Sequence, residues 1–334
     1  MHPLRLLRKQ VSSLLKIVND FRYSTCKKLL PLLPDTPQKI YDCFLFNNEL
    51  ALLEIRFAEL ADQVDYFVIC ECPISFSGFP KPLHYHENRH LFRKYHAKII
   101  HYIIPEPPLN AYTTNPINPG KKICQFWQRN QILKAIEAVD SHDLIMVSDV
   151  DEIPDHKIVK PLAKLCRWSN RVIYLRQFWH LLFLNIRVLS RETAVFANKN
   201  SNDNPNNRYW IGTFACTKSC LKHKYLNNIN GIWSRKWGSH RLLDPIYYGG
   251  GWHLSYIGGI DQLLVKIRDN GMPGYSQQAV DDLKSGRFLE CHLEFAITDQ
   301  SFPSAIQRDQ EAWQHLMARQ QSFHDLAQQL ESLL

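Results

Sequence analysis

The sequence predicts an α/β fold with a mostly parallel central sheet flanked by helices, and three observations carry that expectation. Apolar runs of strand length alternate with helix-length segments between Ile40 and Ser148, the order a βαβ chain requires. These runs are bounded by Pro, Asn, Asp and Gly clusters that turn the chain. With 334 residues, 45% hydrophobic and 12% aromatic, the chain can bury a sizeable core, which excludes a disordered protein.

Residues 1 to 22 place Leu4, Leu7, Val11, Leu14, Val18 and Phe21 at alternating steps of three and four, an amphipathic helix. Within residues 1 to 28, Arg5, Arg8, Lys9, Lys16, Arg22, Lys27 and Lys28 oppose only Asp20, so the polar face is basic. Such a helix suits an anionic membrane surface as well as it suits packing on protein. The Pro-rich stretch Pro31 to Pro37 then divides a terminal segment, 1 to 38, from a body spanning 39 to 303.

In the first half of the body, 39 to 155, strands are expected at Ile40 to Phe46, Tyr66 to Cys70 and Ala97 to Ile104, with a helix from Glu49 to Ala61. A loop rich in Pro, Asn and Thr, Pro105 to Gly120, precedes a helix from Ile123 to Val139 and an apolar strand from Asp143 to Ser148. The second half, 156 to 303, offers strands at Val172 to Phe178, Thr193 to Phe196 and Trp210 to Cys216, with a polar loop at Asn198 to Arg208. The Gly-rich stretch Tyr248 to Gly259 contains a further strand that runs into a helix from Ile260 to Asp269. The tail, 304 to 334, reads as a Gln-rich helical segment whose Trp313, Leu316, Leu326 and Leu330 cover an apolar patch.

No run approaches the roughly 20 apolar residues of a transmembrane helix, and no small-residue cleavage site follows the basic helix. Nine cysteines, several inside apolar runs, predict reduced thiols and hence a cytoplasmic chain, peripheral on the inner face of a membrane. The net charge of +8 favours anionic partners, but much of it lies in the terminal helix. No basic stripe interleaved with aromatics crosses the body, so nucleic acid is not an expected partner. Cys70 with Cys72, and Cys216 with Cys220, lack the spacing and matching pair of a zinc knuckle. His84, His86, His90 and His96 follow Pro80 and Pro82 without regular period, as in a solvated loop.

The most informative stretch is Leu144 to Pro154, LIMVSDVDEIP, in which an apolar strand delivers Asp149, Asp151 and Glu152. At the C-terminal edge of a parallel sheet, where open α/β folds bind ligands, clustered carboxylates attract a divalent ion, Mn²⁺ or Mg²⁺. Such an ion bridges phosphates and stabilises a departing nucleoside diphosphate. The alternative is a capped turn before Pro154.

Around this stretch the chain resembles glycosyltransferase family 17, the family of the β-1,4-mannosyl-glycoprotein 4-β-N-acetylglucosaminyltransferases. The resemblance rests on IYDCFLFNNE (Ile40 to Glu49), LLEIRF (Leu52 to Phe57), FVICE (Phe67 to Glu71), QRNQ (Gln128 to Gln131), SDVDEIP (Ser148 to Pro154) and Gly251-Trp252-His253, over about residues 39 to 268. It implies a GT-A-type nucleotide-diphospho-sugar transferase fold, a UDP-N-acetylglucosamine donor, a Mn²⁺ or Mg²⁺ ion, a glycan acceptor and inversion at the anomeric carbon. Animal members carry an N-terminal membrane anchor and work in the Golgi lumen. The basic helix here points instead to a lipid-linked or lipopolysaccharide glycan as acceptor.

Roles are expected as follows. Asp149 and Asp151 hold the metal, with Asp149 and Glu152 also reaching the donor. His253 completes the metal shell or touches the diphosphate, a buried structural histidine being the alternative. Arg129 and Asn130 hold the phosphate or nucleotide, unless Arg129 instead pairs with Glu71 or another carboxylate. The resemblance places Phe44, Asn47 and Glu49 beside the nucleoside, with Glu71 in the same donor half; the core is the other place for Phe44, and a helix cap and first-turn acid are the other roles for Asn47 and Glu49. Trp252 stacks on an acceptor sugar or belongs to the core. The base that takes the acceptor proton is assigned to Asp261, at the start of its helix, where a cap is the alternative; Glu290, Glu294 and Asp282 are rivals. Two other functions compete: a metal-dependent nucleotidyltransferase, although Phe44 to Asn48 contains no phosphate-loop glycine, and a non-catalytic glycan-binding protein on a transferase fold.

Overall fold

Strand β1 (Ile40–Phe46) is buried along its whole length, and its alternating side chains feed two cores. Ile40, Phe44 and Phe46 join one, Tyr41, Cys43 and Leu45 the other, as in a sheet covered by helices on both faces. The computed structural model describes residue 28, residues 30–108, 114–115, 118–188, 209–235, 245–270 and 302–319, and single positions 325, 328, 331 and 332. The amphipathic helix of residues 1–22, the Thr193–Phe196 strand, the Asn198–Arg208 loop, Asp282, Glu290, Glu294, Leu326 and Leu330 therefore lie outside the described residues.

After β1 come α1 (Leu50–Leu60), β2 (Tyr66–Glu71), α2 (His84–Asn88), a 3₁₀ stretch (Arg89–Lys98) and β3 (Ile99–Ile103). A small ribbon of β4 (Thr114–Asn115) and β5 (Asn118–Lys122) leads to α3 (Ile123–Asn130) and α4 (Ile132–Ala135). Then follow β6 (Leu144–Asp149), β7 (Glu152–Pro154), α5 (His156–Ser169), β8 (Ile173–Leu181), β9 (Tyr209–Thr217), α6 (Lys218–Tyr225), α7 (Ile229–Arg235), β10 (Ile246–Ser255), α8 (Gly259–Asn270) and α9 (Ser304–Arg308).

One eight-stranded sheet in the order β3-β2-β1-β6-β9-β8-β10-β7 runs through both halves of the body. Pairs β2–β3, β1–β2, β1–β6 and β8–β10 are parallel, whereas β6–β9, β8–β9 and β7–β10 are antiparallel. The sheet is thus mixed rather than mostly parallel, because hydrophobic period reports which face is buried and not which way a neighbour runs. Ile306, Trp313 and Leu316 of the tail pack into the same core as β1 and α1. No helix among the described residues is long and apolar enough to cross a membrane.

Two local expectations are corrected. The stretch holding His84 to His96 is helical and anchored, with Tyr85, Phe92 and Tyr95 buried, Phe92 and Tyr95 against Phe57. Its first turn is held by Glu71, whose carboxylate accepts from the amides of Tyr85 (2.9 Å) and His86 (3.3 Å). The helix expected over Ile123 to Val139 is broken at Gln131, whose amide bonds the carbonyl of Gln128 in a tighter turn. The seven described cysteines are buried; burial pushes the Cys72 thiol up to about 11, so these thiols behave as small hydrophobes.

The central strands are tied by Arg56, a cation in the middle of an otherwise apolar helix face. It is fully buried, and its Nε and Nη2 donate to the two oxygens of Asp42 at 2.7 and 2.6 Å. Nη2 also donates to Ser148 Oγ, and Nη1 to the carbonyls of Asp149, Val150 and Glu152 at 3.2, 3.1 and 3.0 Å. Replacing Arg56 with Met leaves the buried Asp42 carboxylate without its cation, and should cost about 3–5 kcal/mol in urea unfolding. A loss below about 1 kcal/mol, the scale of a surface pair, would contradict the clamp.

Candidate active site

From β1 the chain moves to β2 and β3 on one side, while β6 lies on the other side of β1, so the C-terminal ends of β1 and β6 border a topological switch point. The parallel register sets Leu45 opposite Asp149, which brings the turn after β1, with Asn47 and Glu49, beside the turn after β6. Helix α8 docks over both along one face. Asn48 Nδ2 donates to Gln262 Oε1 (3.0 Å), and Asn47 Nδ2 to Asp269 Oδ2 (2.8 Å). Between them Lys266 Nζ meets Asp151 Oδ2 (2.5 Å) and Glu49 Oε1 (3.5 Å). Residues 262, 266 and 269 recur at helical spacing, which aligns the three contacts.

The three acids after β6 have different surroundings. The Asp149 side chain keeps 36% of its surface exposed, and Arg129 Nη2 donates to its Oδ1 at 3.1 Å. Glu152 is buried and engaged on both oxygens: Trp210 Nε1 donates to Oε1 (2.6 Å) and the amide of Asp149 to Oε2 (3.2 Å). Gly212 lets β9 approach this carboxylate, since a Cβ there would lie 2.9 Å from Glu152 Cδ and collide with Gln177 Oε1. Asp151 is buried; Oδ2 takes Lys266 and lies 3.7 Å from His253 Nε2, while Oδ1 has no hydrogen-bond partner. Burial by itself would push the Asp151 carboxyl up, but the charges of Lys266 and His253 hold it far below the usual carboxylate range. Burial likewise works to lower the Lys266 ammonium, and Asp151 with Glu49 overturns it, holding the group above its ordinary value.

His253 reaches the cluster because β10 pairs antiparallel with β7, His253 opposite Glu152. Gly251, at φ +121°, makes the approach possible, since a Cβ there would collide with Ile153 O. The imidazole lies 4.3 Å from the Trp210 ring, and its Nδ1 is buried without a hydrogen-bond partner.

Several expected residues are placed elsewhere. Phe44 is buried under the Arg56 guanidinium, 4.4 Å from the ring centre, so it is core rather than a nucleobase platform. Trp252 is 2% exposed in the core with Ile153 and Leu254, so it offers no face to an acceptor sugar. Glu71 is fully buried and spent on helix α2 and on His101, whose Nε2 donates at 3.1 Å. Asn130 is exposed at the end of α3, whereas Arg129 beside it is buried, its guanidinium 4.2 Å from the Trp233 ring. Glu49 Oε2 accepts from the amides of Asn47 (3.3 Å) and Asn48 (3.1 Å), which shapes the turn and leaves Oε1 to Lys266. Asp261 is the third residue of α8, and its side chain lies outside the described residues.

Asp149, Asp151 and His253 do not form a ready three-ligand cage. Among the described residues, the group of three whose ligand atoms all lie within 4.8 Å of one another is Glu59, Asp155 and His156. That group is engaged otherwise: Glu59 accepts from His156, Ser304 and Ala305, and Asp155 caps α5. At the crevice, Arg129 occupies Asp149 and Lys266 occupies Asp151. The unpartnered Asp151 Oδ1 and His253 Nδ1 nevertheless fit Mn²⁺ or Mg²⁺, which take few protein ligands and complete their shell with phosphate and water. Sequence reasoning missed Arg56, Trp210 and Lys266; only Arg56, a lone cation in an apolar helix, carried a local signal.

The family model for glycosyltransferase family 17 matches residues 22–188. The β-1,4-mannosyl-glycoprotein 4-β-N-acetylglucosaminyltransferase of Rattus norvegicus is 27% identical over 165 residues, 46% of this chain and 28% of that protein. The Homo sapiens protein of the same name matches at 27% identity with the same coverage. The match thus spans under a third of these relatives' length. A Bacillus anthracis structure described as a glucose-1-phosphate thymidylyltransferase covers 73% of this chain and 99% of its own at 8% identity, with a TM-score of 0.37. Superposition of that quality does not separate one α/β fold from another.

The tie between Glu152 and Trp210 has a measurable consequence. Trp210→Phe keeps an aromatic ring, though a smaller one, and removes the donor to a buried carboxylate, and should cost about 1.5–3 kcal/mol in urea unfolding. A change within about 0.5 kcal/mol would mean that Glu152 is held by other groups.

Proposed function

Because the chain belongs to glycosyltransferase family 17, we propose that it transfers a sugar, N-acetylglucosamine by family resemblance, from a UDP-sugar to a hydroxyl of a glycan acceptor with inversion, on a GT-A-type fold. The observation that carries this reading is a cluster of carboxylates at the switch-point crevice. Glu49, Asp149, Asp151 and Glu152 lie together, with Arg129 on Asp149 and Lys266 between Asp151 and Glu49. Asp151 Oδ1 is buried among them without a hydrogen-bond partner, an acceptor that a divalent ion would take. Mn²⁺ or Mg²⁺ held by Asp151 and His253 would neutralise the diphosphate as it leaves.

The remaining work falls to the chain. Asp149, the accessible carboxylate, is oriented by Arg129 to accept hydrogen bonds from the donor's ribose or sugar hydroxyls. Glu152 closes the turn that aims both aspartates. Lys266 and the N-terminal turn of α8 border the diphosphate, and Asp261 on that turn takes the proton of the acceptor hydroxyl. Ser77, whose amide and hydroxyl donate to the Asp269 carbonyl, brings the Ser75 to Pro82 segment to the end of α8 as a wall for the acceptor. A lipid-linked or lipopolysaccharide glycan suits this reading, with residues 1 to 28 resting on the anionic inner face of a membrane.

The test is UDP release from UDP-N-acetylglucosamine with Mn²⁺. Wild type should release UDP, and Asp151→Asn, with its fold checked by circular dichroism, should lose at least about 10²-fold in rate. Equal rates would remove the acidic cluster from the mechanism. A folded wild type that releases no UDP from any UDP-sugar would favour a glycan-binding protein.

A further inference from the structure

The crevice already contains a cation where the proposed function calls for an external one. Lys266 Nζ sits on Asp151 at 2.5 Å, with Glu49 Oε1 as a second acceptor at 3.5 Å, and its side chain is 15% exposed. It satisfies one oxygen of Asp151 and leaves the other buried and unpartnered. Glu49 is held ready, because the amides of Asn47 and Asn48 fix its other oxygen. Helix α8 does not need Lys266 to stay docked, since Gln262 and Asp269 hold it to Asn48 and Asn47. A lysine ammonium is a point charge on a flexible stem with no planar geometry to satisfy, the side chain best suited to changing partners.

We propose that Lys266 is an exchangeable counter-ion: it neutralises Asp151 while the crevice holds neither divalent cation nor donor, and moves to Glu49 and the donor diphosphate when the cation takes Asp151. This rests on the reading of the crevice as a metal-dependent donor site. Lys266 then competes with the cation in the free protein and cooperates with it once a diphosphate is present. The free protein therefore binds the cation weakly, and nucleotide and cation strengthen each other's binding by the same factor.

The measurement is Mn²⁺ binding, read as the loss of the free-ion electron paramagnetic resonance signal, with and without UDP. Wild type should bind Mn²⁺ weakly alone and more tightly with UDP. Lys266→Met should bind Mn²⁺ alone about tenfold more tightly and lose most of the gain from UDP. Should Lys266→Met be too unstable to purify without metal, Glu49→Gln reads the same exchange in the opposite direction. With its fallback acceptor gone, Lys266 stays on Asp151 and Mn²⁺ binds more weakly than in wild type. Unchanged or weaker Mn²⁺ binding by Lys266→Met, or unchanged binding by Glu49→Gln, overturns the proposal. UDP release by wild type that is undiminished in EDTA overturns it too while leaving sugar transfer standing, whereas absent UDP release beside the expected Mn²⁺ shifts sinks the transfer and spares the exchange.

Discussion

Arg56 makes the crevice possible. Asp42 and Ser148 lie on adjacent central strands, and the carbonyls of Asp149, Val150 and Glu152 converge on the same side chain, the last of them shared with Thr213 Oγ1. One guanidinium serves all of them. A planar fork with five donors suits that task, and an ammonium would leave several acceptors unmet. The turn that follows β6 is therefore tied to the sheet by a buried side chain. Its three acids are divided by this geometry into one turned inward to Trp210, one buried against Lys266 and one left accessible.

That division explains how so many carboxylates are tolerated together. Each has a distinct partner: a backbone amide and an indole for Glu152, a guanidinium for Asp149, an ammonium for Asp151. The fixed partners build the site, and the flexible one, Lys266, is the partner that an incoming ion can displace. One oxygen of Asp151 nevertheless stays buried without a hydrogen-bond partner, and that unmet acceptor is what an incoming cation and its diphosphate would use.

The sequence made the left half of this architecture legible and the right half less so. Strands β1, β2 and β6 are short apolar runs bounded by turn residues, and the carboxylates directly after β6 mark a sheet edge without help from tertiary structure. β9 looks the same in sequence whether it runs parallel or antiparallel, so the mixed sheet was not legible. Phe44 and Trp252 show why aromatic residues near a site mislead: their place in the strand alternation assigns them to the core with equal ease. Glu71 and Glu152 were indistinguishable from ligand-binding acids because what consumes them, two helix amides and an indole, comes from distant segments. Lys266 lies 115 residues from Asp151, a pairing that no local pattern encodes.

The central claim is that the C-terminal edge of β1 and β6 receives a divalent ion together with a nucleoside diphosphate. Crystals grown with Mn²⁺ and UDP, measured at the manganese absorption edge, test it directly. The account expects an anomalous peak bonded to Asp151 and to the diphosphate, with Lys266 Nζ no longer on that carboxylate. A nucleotide bound away from this edge, or a diphosphate in the crevice with no manganese beside Asp151, would contradict it.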